Sequence, residues 1–173
     1  MKPHLLVVST ALTLSGATVA LSLEASAQNA APMVWTTAFR GPDMCLDVVN
    51  GGAFDGFTIL QQCGNFSGQH WFARPAASGW MEFTTEWRGP AMCLDVVNGG
   101  EYDTLTRLQP CENRTGQHWR IAPGGDGTLR LTTEFRGEGM CLDVVNGGAW
   151  DRLTRLEPCE GRTGQQWSSR NAL

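Results

Sequence analysis

Three copies of one segment follow one another without a gap, and this repeat constrains the fold more than any other feature. Each copy contains C-L-D-V-V-N-G-G, then a second cysteine and a terminal G-Q-x-W. The first cysteines lie at Cys45, Cys93 and Cys141, so the period is 48 residues. Such a period is typical of repeat architectures, in which one unit is too small to bury its own apolar face. Any binding site is therefore expected in up to three versions.

The first 27 residues have the pattern of a secretory signal peptide. Lys2 and His4 make a positive start, residues 5–23 are mostly apolar, and residues 25–27 match the small-x-small pattern that signal peptidase reads. A membrane anchor is the alternative, but a span needs about 20 strongly apolar residues. We predict cleavage before Gln28 and a secreted protein, extracellular or periplasmic, that is not inserted in a membrane.

Residues 28–173 then contain little besides the repeats, at about 30–77, 78–125 and 126–173. We expect one domain, without a separate catalytic domain, and a monomer. Loss of Lys2 and Glu24 leaves the net charge at −4, with arginine as the remaining cation. A mildly acidic chain without a basic run is not expected to bind nucleic acid or anionic lipid.

The six cysteines form three pairs with the same spacing. In an oxidising compartment such a set indicates disulfides, and six cysteines allow fifteen pairings. The internal symmetry makes one bridge within each repeat the simplest of these. A metal site is the alternative, but no C-x-x-C pair and no histidine recurs in all three repeats, so neither metal nor cofactor is expected. The predicted pairs are Cys45–Cys63, Cys93–Cys111 and Cys141–Cys159.

Each repeat is predicted to form four short strands, clearest in the second copy at residues 83–87, 92–97, 105–108 and 117–121. The Asn98-Gly99-Gly100 segment is strong turn chemistry. Three repeats then give about twelve strands. Neither end has a polar capping repeat, so we expect the third repeat to meet the first in a closed all-β arrangement.

The three C-L-D-V segments, cysteine pairs and Q-x-W motifs resemble the ricin B-type lectin domain. The resemblance covers the whole of residues 28–173 and implies a β-trefoil fold, with a six-stranded barrel and a hairpin cap. It also implies that the Q-x-W residues are structural, with the indoles in the core and the amides bonded to buried backbone groups. His70 and His118, at the x of this motif, are expected to be exposed. The Q-x-W residues are Gln69, Trp71, Gln117, Trp119, Gln165 and Trp167.

In sugar-binding members of that family, the aspartate of C-x-D-V accepts hydrogen bonds from two adjacent hydroxyls. The resemblance thus implies binding roles for Asp47, Asp95 and Asp143; bracing of the following turn is the alternative. The rest of the family's galactose site is not intact. Its polar amide is replaced by Ile59, Arg107 and Arg155, its aromatic platform by Gln61, Gln109 and Glu157, and its asparagine by Gly68, Gly116 and Gly164.

A different aromatic residue recurs in the turn after N-G-G, as Phe54, Tyr102 and Trp150, each followed by aspartate. It is expected either to stack on a sugar ring or to close the mouth of the barrel as a lid. The first interpretation predicts one site from Asp95, Tyr102, Arg107 and Gln109, and another from Asp143, Trp150, Arg155 and Glu157. The first repeat is expected to be the weakest polar binder, and the arginines of the others could favour acidic sugars.

The sequence therefore favours a secreted, non-catalytic lectin that binds glycans or polysaccharide through several weak sites. A β-trefoil that binds protein, as an inhibitor or adhesion factor, is the second interpretation. A hydrolase is the third, with a carboxylate pair such as Asp143 and Asp151 acting on a glycosidic bond.

Overall fold

The computed structural model describes residues 31–172, and the predicted signal peptide lies outside them. Within this range the chain forms twelve β-strands and four single 3₁₀ turns. None of the helices described is long and apolar enough to cross a bilayer. The 3₁₀ turns lie at Ala77–Gly79, Thr115–Gln117, Gly148–Trp150 and Thr163–Gln165.

Each repeat supplies four strands, which confirms the predicted all-β class. The first repeat contains β1 (Met33–Thr37), β2 (Gly41–Val48), β3 (Thr58–Gln62) and β4 (Trp71–Pro75). The second contains β5 (Met81–Thr85), β6 (Gly89–Val96), β7 (Thr106–Pro110) and β8 (Trp119–Pro123). The third contains β9 (Leu129–Thr133), β10 (Gly137–Val144), β11 (Thr154–Pro158) and β12 (Trp167–Asn171).

Six of these strands close into a barrel. The antiparallel pairs run from β1 through β4, β5, β8 and β9 to β12, which pairs back with β1. In the closing pair Met33 lies opposite Asn171 and Thr37 opposite Trp167. The end of the third repeat thus meets the start of the first, and no edge of the barrel is left unpaired. This is the barrel of a β-trefoil, as predicted.

The other six strands form three hairpins, β2–β3, β6–β7 and β10–β11, that cap the barrel. Single bridges join neighbouring hairpins, for example between Phe57 and Arg107. Thr58, Thr106 and Thr154 are fully buried, and their hydroxyls form a triangle with sides of 2.6 Å. Each buried hydroxyl therefore finds its hydrogen-bond partner in the other two repeats.

The main core is built from the same positions of all three repeats. Trp71, Trp119 and Trp167 are fully buried in one cluster. Each indole Nε1 donates to a leucine carbonyl of its own repeat at 2.8–2.9 Å. A disulfide with a sequence separation of 18 joins the two cysteines within each repeat.

The expected exposure of the two histidines is wrong. His118 is buried and His70 is half-buried. Each Nδ1 lies 2.5 Å from a glutamate Oε2 of the following repeat, Glu86 for His70 and Glu134 for His118. The histidines therefore bond one repeat to the next. The sequence pattern within a single repeat does not indicate this contact.

Candidate functional site

Three equivalent pockets open to solvent, and each contains the C-L-D-V aspartate of one repeat. The first pocket contains Asp47, the second Asp95 and the third Asp143. Their volumes are about 840, 440 and 390 Å³. The Val-Val-Asn segment after each aspartate also lines its pocket. The structure thus repeats one pocket three times.

The aspartate of each pocket is held by the same two hydrogen bonds. In the first pocket, Oδ1 of Asp47 accepts from the Val48 backbone N–H at 2.7 Å, and Oδ2 accepts from Gln69 Nε2 at 3.0 Å. The other repeats form both bonds at 2.7–2.8 and 3.0–3.1 Å. An ionised carboxylate offers about four lone-pair positions, so about two remain for a ligand that donates hydrogen bonds.

The glutamine of Q-x-W positions this aspartate. Gln69 Nε2 donates to Asp47 and to the Gln62 carbonyl, and its Oε1 accepts from the Gly64 N–H. Both amide hydrogens are therefore used within the fold. One side chain therefore has two roles: it satisfies buried backbone groups, as the resemblance implies, and it orients the pocket carboxylate.

The glycine before Q-x-W makes room for the aspartate. A Cβ atom at Gly68 or Gly116 would lie 2.3 Å from Oδ1 of the pocket aspartate, and one at Gly164 would lie 2.1 Å from it. No side chain fits so close to another atom in a packed interior. An asparagine at this position is thus incompatible with the aspartate conformation of these pockets.

Burial raises the pKa of the Asp47 and Asp95 carboxyls above the ordinary aspartate value. The hydrogen bonds from the following N–H and from the glutamine lower it, but desolvation is the larger effect. Arg114 and Arg107 add smaller lowering effects at Asp95. These carboxylates have lost much of their hydration, so a ligand hydroxyl can replace solvent at the remaining lone pairs.

An aromatic ring from the following repeat lines each pocket. These rings are not among the site residues predicted from the sequence. In the first pocket, the Trp87 N–H donates to the Ser67 carbonyl at 3.1 Å, which ties the turn of the second repeat to the wall of the first. The pairs of ring and aspartate are Trp87 with Asp47, Phe135 with Asp95, and Phe39 with Asp143.

An arginine and a second aspartate clamp each ring. The Arg88 guanidinium lies 3.8 Å from the centre of the Trp87 ring and donates to Asp55 Oδ1 at 2.7 Å. The residues that line the pocket include Trp87 but not Arg88. The guanidinium therefore holds the ring without itself lining the pocket. The equivalent clamps are Arg136 with Phe135 and Asp103, and Arg40 with Phe39 and Asp151.

The clamp carboxyls are anchored to the turn that follows the pocket strand. Asp55 Oδ1 also accepts from the Gly51 N–H at 2.7 Å. This bond and the Arg88 guanidinium lower the pKa of Asp55, and the Gly99 N–H and Arg136 likewise lower that of Asp103. Each clamp therefore connects the repeat that supplies the pocket aspartate to the repeat that supplies the ring.

The aromatic residues Phe54, Tyr102 and Trp150 lie together above the hairpin cap. The ring centres of Phe54 and Tyr102 are 6.0 Å apart, and those of Tyr102 and Trp150 are 6.2 Å apart. They pack on a small buried cluster of Phe57, Leu105 and Leu153. The structure does not bring Tyr102 into the pocket of Asp95 or Trp150 into that of Asp143. The arrangement is that of a lid.

Other predicted site residues do come together. Asp95, Arg107 and Gln109 line the second pocket, with Arg107 directly across the β6–β7 hairpin from Asp95. In the third pocket the equivalent residues are Asp143, Arg155 and Glu157, and Arg155 forms an ion pair with Glu157. Arg114 and Arg162, at half-exposed positions, also line these two pockets.

The first pocket has a different wall. Gly64 stands where the other repeats have glutamate, and the Phe66 ring lies over it, since a Cβ at Gly64 would be 2.4 Å from that ring. Phe66 is 60% exposed. In the other repeats this pair of positions forms a salt bridge, Glu112 with Arg114 and Glu160 with Arg162. The first pocket thus has two aromatic walls, Trp87 and Phe66.

A sequence signal for the missed rings exists. Phe39, Trp87 and Phe135 are spaced by one period, and each is followed by Arg-Gly.

Among residues 31–172, no group of three or more His, Cys, Asp or Glu side chains is arranged to hold a metal ion.

The profile of the family described as "Ricin-type beta-trefoil lectin domain" matches residues 79–172. Among curated proteins, none matches the sequence.

Solved structures share the fold at low sequence identity. The designed threefold symmetric protein ThreeFoil is 23% identical, with a TM-score of 0.67, over 81% of this chain and 98% of its own. The β-trefoil lectin of the Vibrio vulnificus hemolysin/cytolysin, with N-acetyl-D-lactosamine bound, is 19% identical (TM-score 0.59; 84% and 98% covered). A non-toxic homologue of type II RIPs from Momordica charantia, in complex with α-methyl-D-galactoside, is 19% identical with a TM-score of 0.59. That match covers 80% of this chain, which spans about half (48%) of the Momordica chain.

Proposed function

The chain belongs to the ricin-type β-trefoil lectin family, and from this premise we propose that it is a secreted carbohydrate-binding protein with one site in each of its three pockets. The observation that carries the proposal is the pairing of a buried aspartate with an aromatic ring in every pocket. The ring suits the apolar face of a sugar, and the aspartate accepts from its hydroxyls.

The clamps support binding rather than a purely structural role for the rings. Trp87 is only half-buried, yet Arg88 stacks on its ring and is itself held by a charged hydrogen bond to Asp55. Holding a side chain in place before the ligand arrives reduces the entropy lost on binding. A platform of this kind gives useful affinity even in a shallow, open pocket.

We propose that the protein acts without catalysis. Asp143 is bonded by Val144 and Gln165, and Asp151 is bonded by Gly147 and Arg40. Both carboxylates of the pair considered for hydrolysis thus have positioning roles. Three weak sites on one molecule can raise the avidity for a glycan surface by about 10²–10⁴-fold when the geometry permits.

A glycan array on the chain without residues 1–27 tests this function. We expect binding that free sugar displaces, and its loss in a triple variant with Phe39→Ala, Trp87→Ala and Phe135→Ala that keeps the wild-type circular dichroism. Wild-type protein that binds no glycan would contradict the proposal and favour a protein partner. A folded triple variant with undiminished binding would show that the rings are not the platforms.

A further inference from the structure

We propose that the second pocket selects a sugar residue that carries a carboxylate, such as a uronic acid, and that the third pocket does not. This inference rests on the proposed function and adds the class of ligand. It comes from a difference between the pockets at one position, occupied by Gln109 in the second repeat and Glu157 in the third.

The three pockets differ in the charges of the residues that line them. The first has the Asp47 carboxylate alone. The second has Asp95 with two arginines, and the third has two arginines with two carboxylates, Asp143 and Glu157. Counted over these residues, the formal charge is negative in the first pocket, positive in the second and zero in the third. The second pocket is therefore the one that attracts an anion.

The group that this difference leaves without an ion-pair partner is the guanidinium of Arg107. Its guanidinium lies 5.6 Å from the centre of the Phe57 ring, and its Nε is buried without a hydrogen-bond partner. No carboxylate within residues 31–172 forms a salt bridge with it, whereas the equivalent Arg155 is paired with Glu157. Gln109 occupies the position of Glu157 and is neutral. The Arg107 guanidinium thus remains available to a carboxylate of the ligand.

The neighbouring aspartate explains why the ligand is a carboxylated sugar rather than a bare anion. Asp95 lies across the hairpin from Arg107. The lone pairs of Asp95 that Val96 and Gln117 do not use can accept hydrogen bonds from ligand hydroxyls. A sulfate ion would meet this negative charge without a hydroxyl to donate to it. A uronic acid residue has hydroxyls for Asp95, a carboxylate for Arg107, and a ring face for Phe135.

Titrations followed by backbone-amide NMR can assign binding to each pocket. The probes are methyl glycosides in matched pairs that differ only in oxidation at C6: glucoside and glucuronide, galactoside and galacturonide. We expect the amides of Val97 and Asn98 to respond to a uronide with about tenfold higher affinity than to its neutral partner, as one charged hydrogen-bonded pair would give. The amides of Val145 and Asn146, in the third pocket, should show no such preference.

Two substitutions at the position of Gln109 and Glu157 test whether the free arginine causes the uronide preference. Gln109→Glu should pair with Arg107 and remove the uronide preference of the second pocket. Glu157→Gln should free Arg155 and give the third pocket the preference. Both side chains already occur at this position of the fold, so both variants should fold. Gln61→Glu, the matched control in the first pocket, should leave the second pocket unchanged.

Equal affinity of the second pocket for both members of each pair would overturn this inference alone. So would a uronide preference that survives Gln109→Glu. An absence of response to any sugar in all three pockets would overturn the proposed function together with it.

Discussion

The indole of Trp87 and the carboxylate of Asp47 line one pocket, although they belong to different repeats. In the second pocket, Phe135 of the third repeat lies with Asp95 of the second. In the third pocket, closure of the barrel brings Phe39 of the first repeat to Asp143 of the third. Each site is therefore a product of the assembled trefoil. One isolated repeat contains an aspartate and a ring that belong to two different sites.

Replacement of Trp87 by alanine should weaken sugar binding at the first pocket by about tenfold, since a stacked aromatic contributes roughly 0.5–1.5 kcal/mol beyond its buried area. The melting temperature should fall as well, because the half-buried ring packs against the main core, so binding is measured at a temperature where the variant is folded. Trp80→Ala is the matched control: this tryptophan is also half-buried and stacked by an arginine, Arg120 at 4.4 Å, but lines none of the aspartate pockets. Equal binding losses in the two variants would contradict the platform role of Trp87.

Alanine at Gly116 should destabilise the protein by about 1–3 kcal/mol, the usual cost of overpacking. The new Cβ would lie 2.3 Å from Asp95 Oδ1, so the carboxylate must move and the second pocket should lose its ligand. Gly139→Ala is the control, because a Cβ there meets no atom within 4 Å. Chemical denaturation of both variants measures the difference, and equal free energies of unfolding would show that the aspartate is not confined as described.

Replacement of Trp150 by alanine distinguishes the lid from a binding platform. The ring packs against Tyr102 and the Leu153 cluster, so we expect a loss of roughly 2 kcal/mol in unfolding free energy, below the 3–5 kcal/mol of a fully buried aromatic. Sugar affinity at the third pocket should be unchanged in the folded variant. A stable variant that no longer binds there would restore Trp150 as a site residue.

As the pH falls, sugar binding at the first and second pockets should fail before their clamps break. The pocket carboxyls of Asp47 and Asp95 have raised pKa values, so they take up protons first as the pH falls and lose acceptor capacity. The clamp carboxyls of Asp55 and Asp103 have lowered pKa values and remain charged to lower pH. Affinity measured against pH, with carboxyl NMR titration of the same residues, checks this order.

The pocket carboxyls and the clamp carboxyls change the free energy of unfolding in opposite directions as the pH falls. A raised pKa in the folded state means that the pocket carboxyls oppose folding when charged, and this cost disappears as the pH falls through their raised values. A lowered pKa means that the clamp carboxyls favour folding above the ordinary aspartate range, and this contribution is lost as the pH falls through their lowered values. Loss of binding and of the clamp salt bridges at one common pH would contradict the assignment.

The repeat was sufficient to predict a closed all-β arrangement, because one 48-residue unit cannot bury its apolar residues and three similar units have few ways to do so together. The β-trefoil fold and the interest of the three aspartates came from the resemblance of the C-L-D-V and Q-x-W motifs to the ricin B-type lectin domain. The ends of the strands were less foreseeable: the predicted strand at residues 83–87 in fact ends at Thr85, and Trp87 lies in the turn that follows.

The position of Trp87 in that turn was decided only by the tertiary structure. Tryptophan favours strands, and this preference assigned Trp87 to the barrel, whereas a bond to Ser67 of the preceding repeat places it at a pocket. The aromatic residues singled out in the sequence, such as Tyr102, lie instead at the junction of the three hairpins. Residues of one repeat are neighbours in the sequence, but the pockets form between repeats. Which ring lines the pocket of which aspartate is therefore settled only when the repeats pack together, and for Phe39 and Asp143 only when the third repeat pairs with the first.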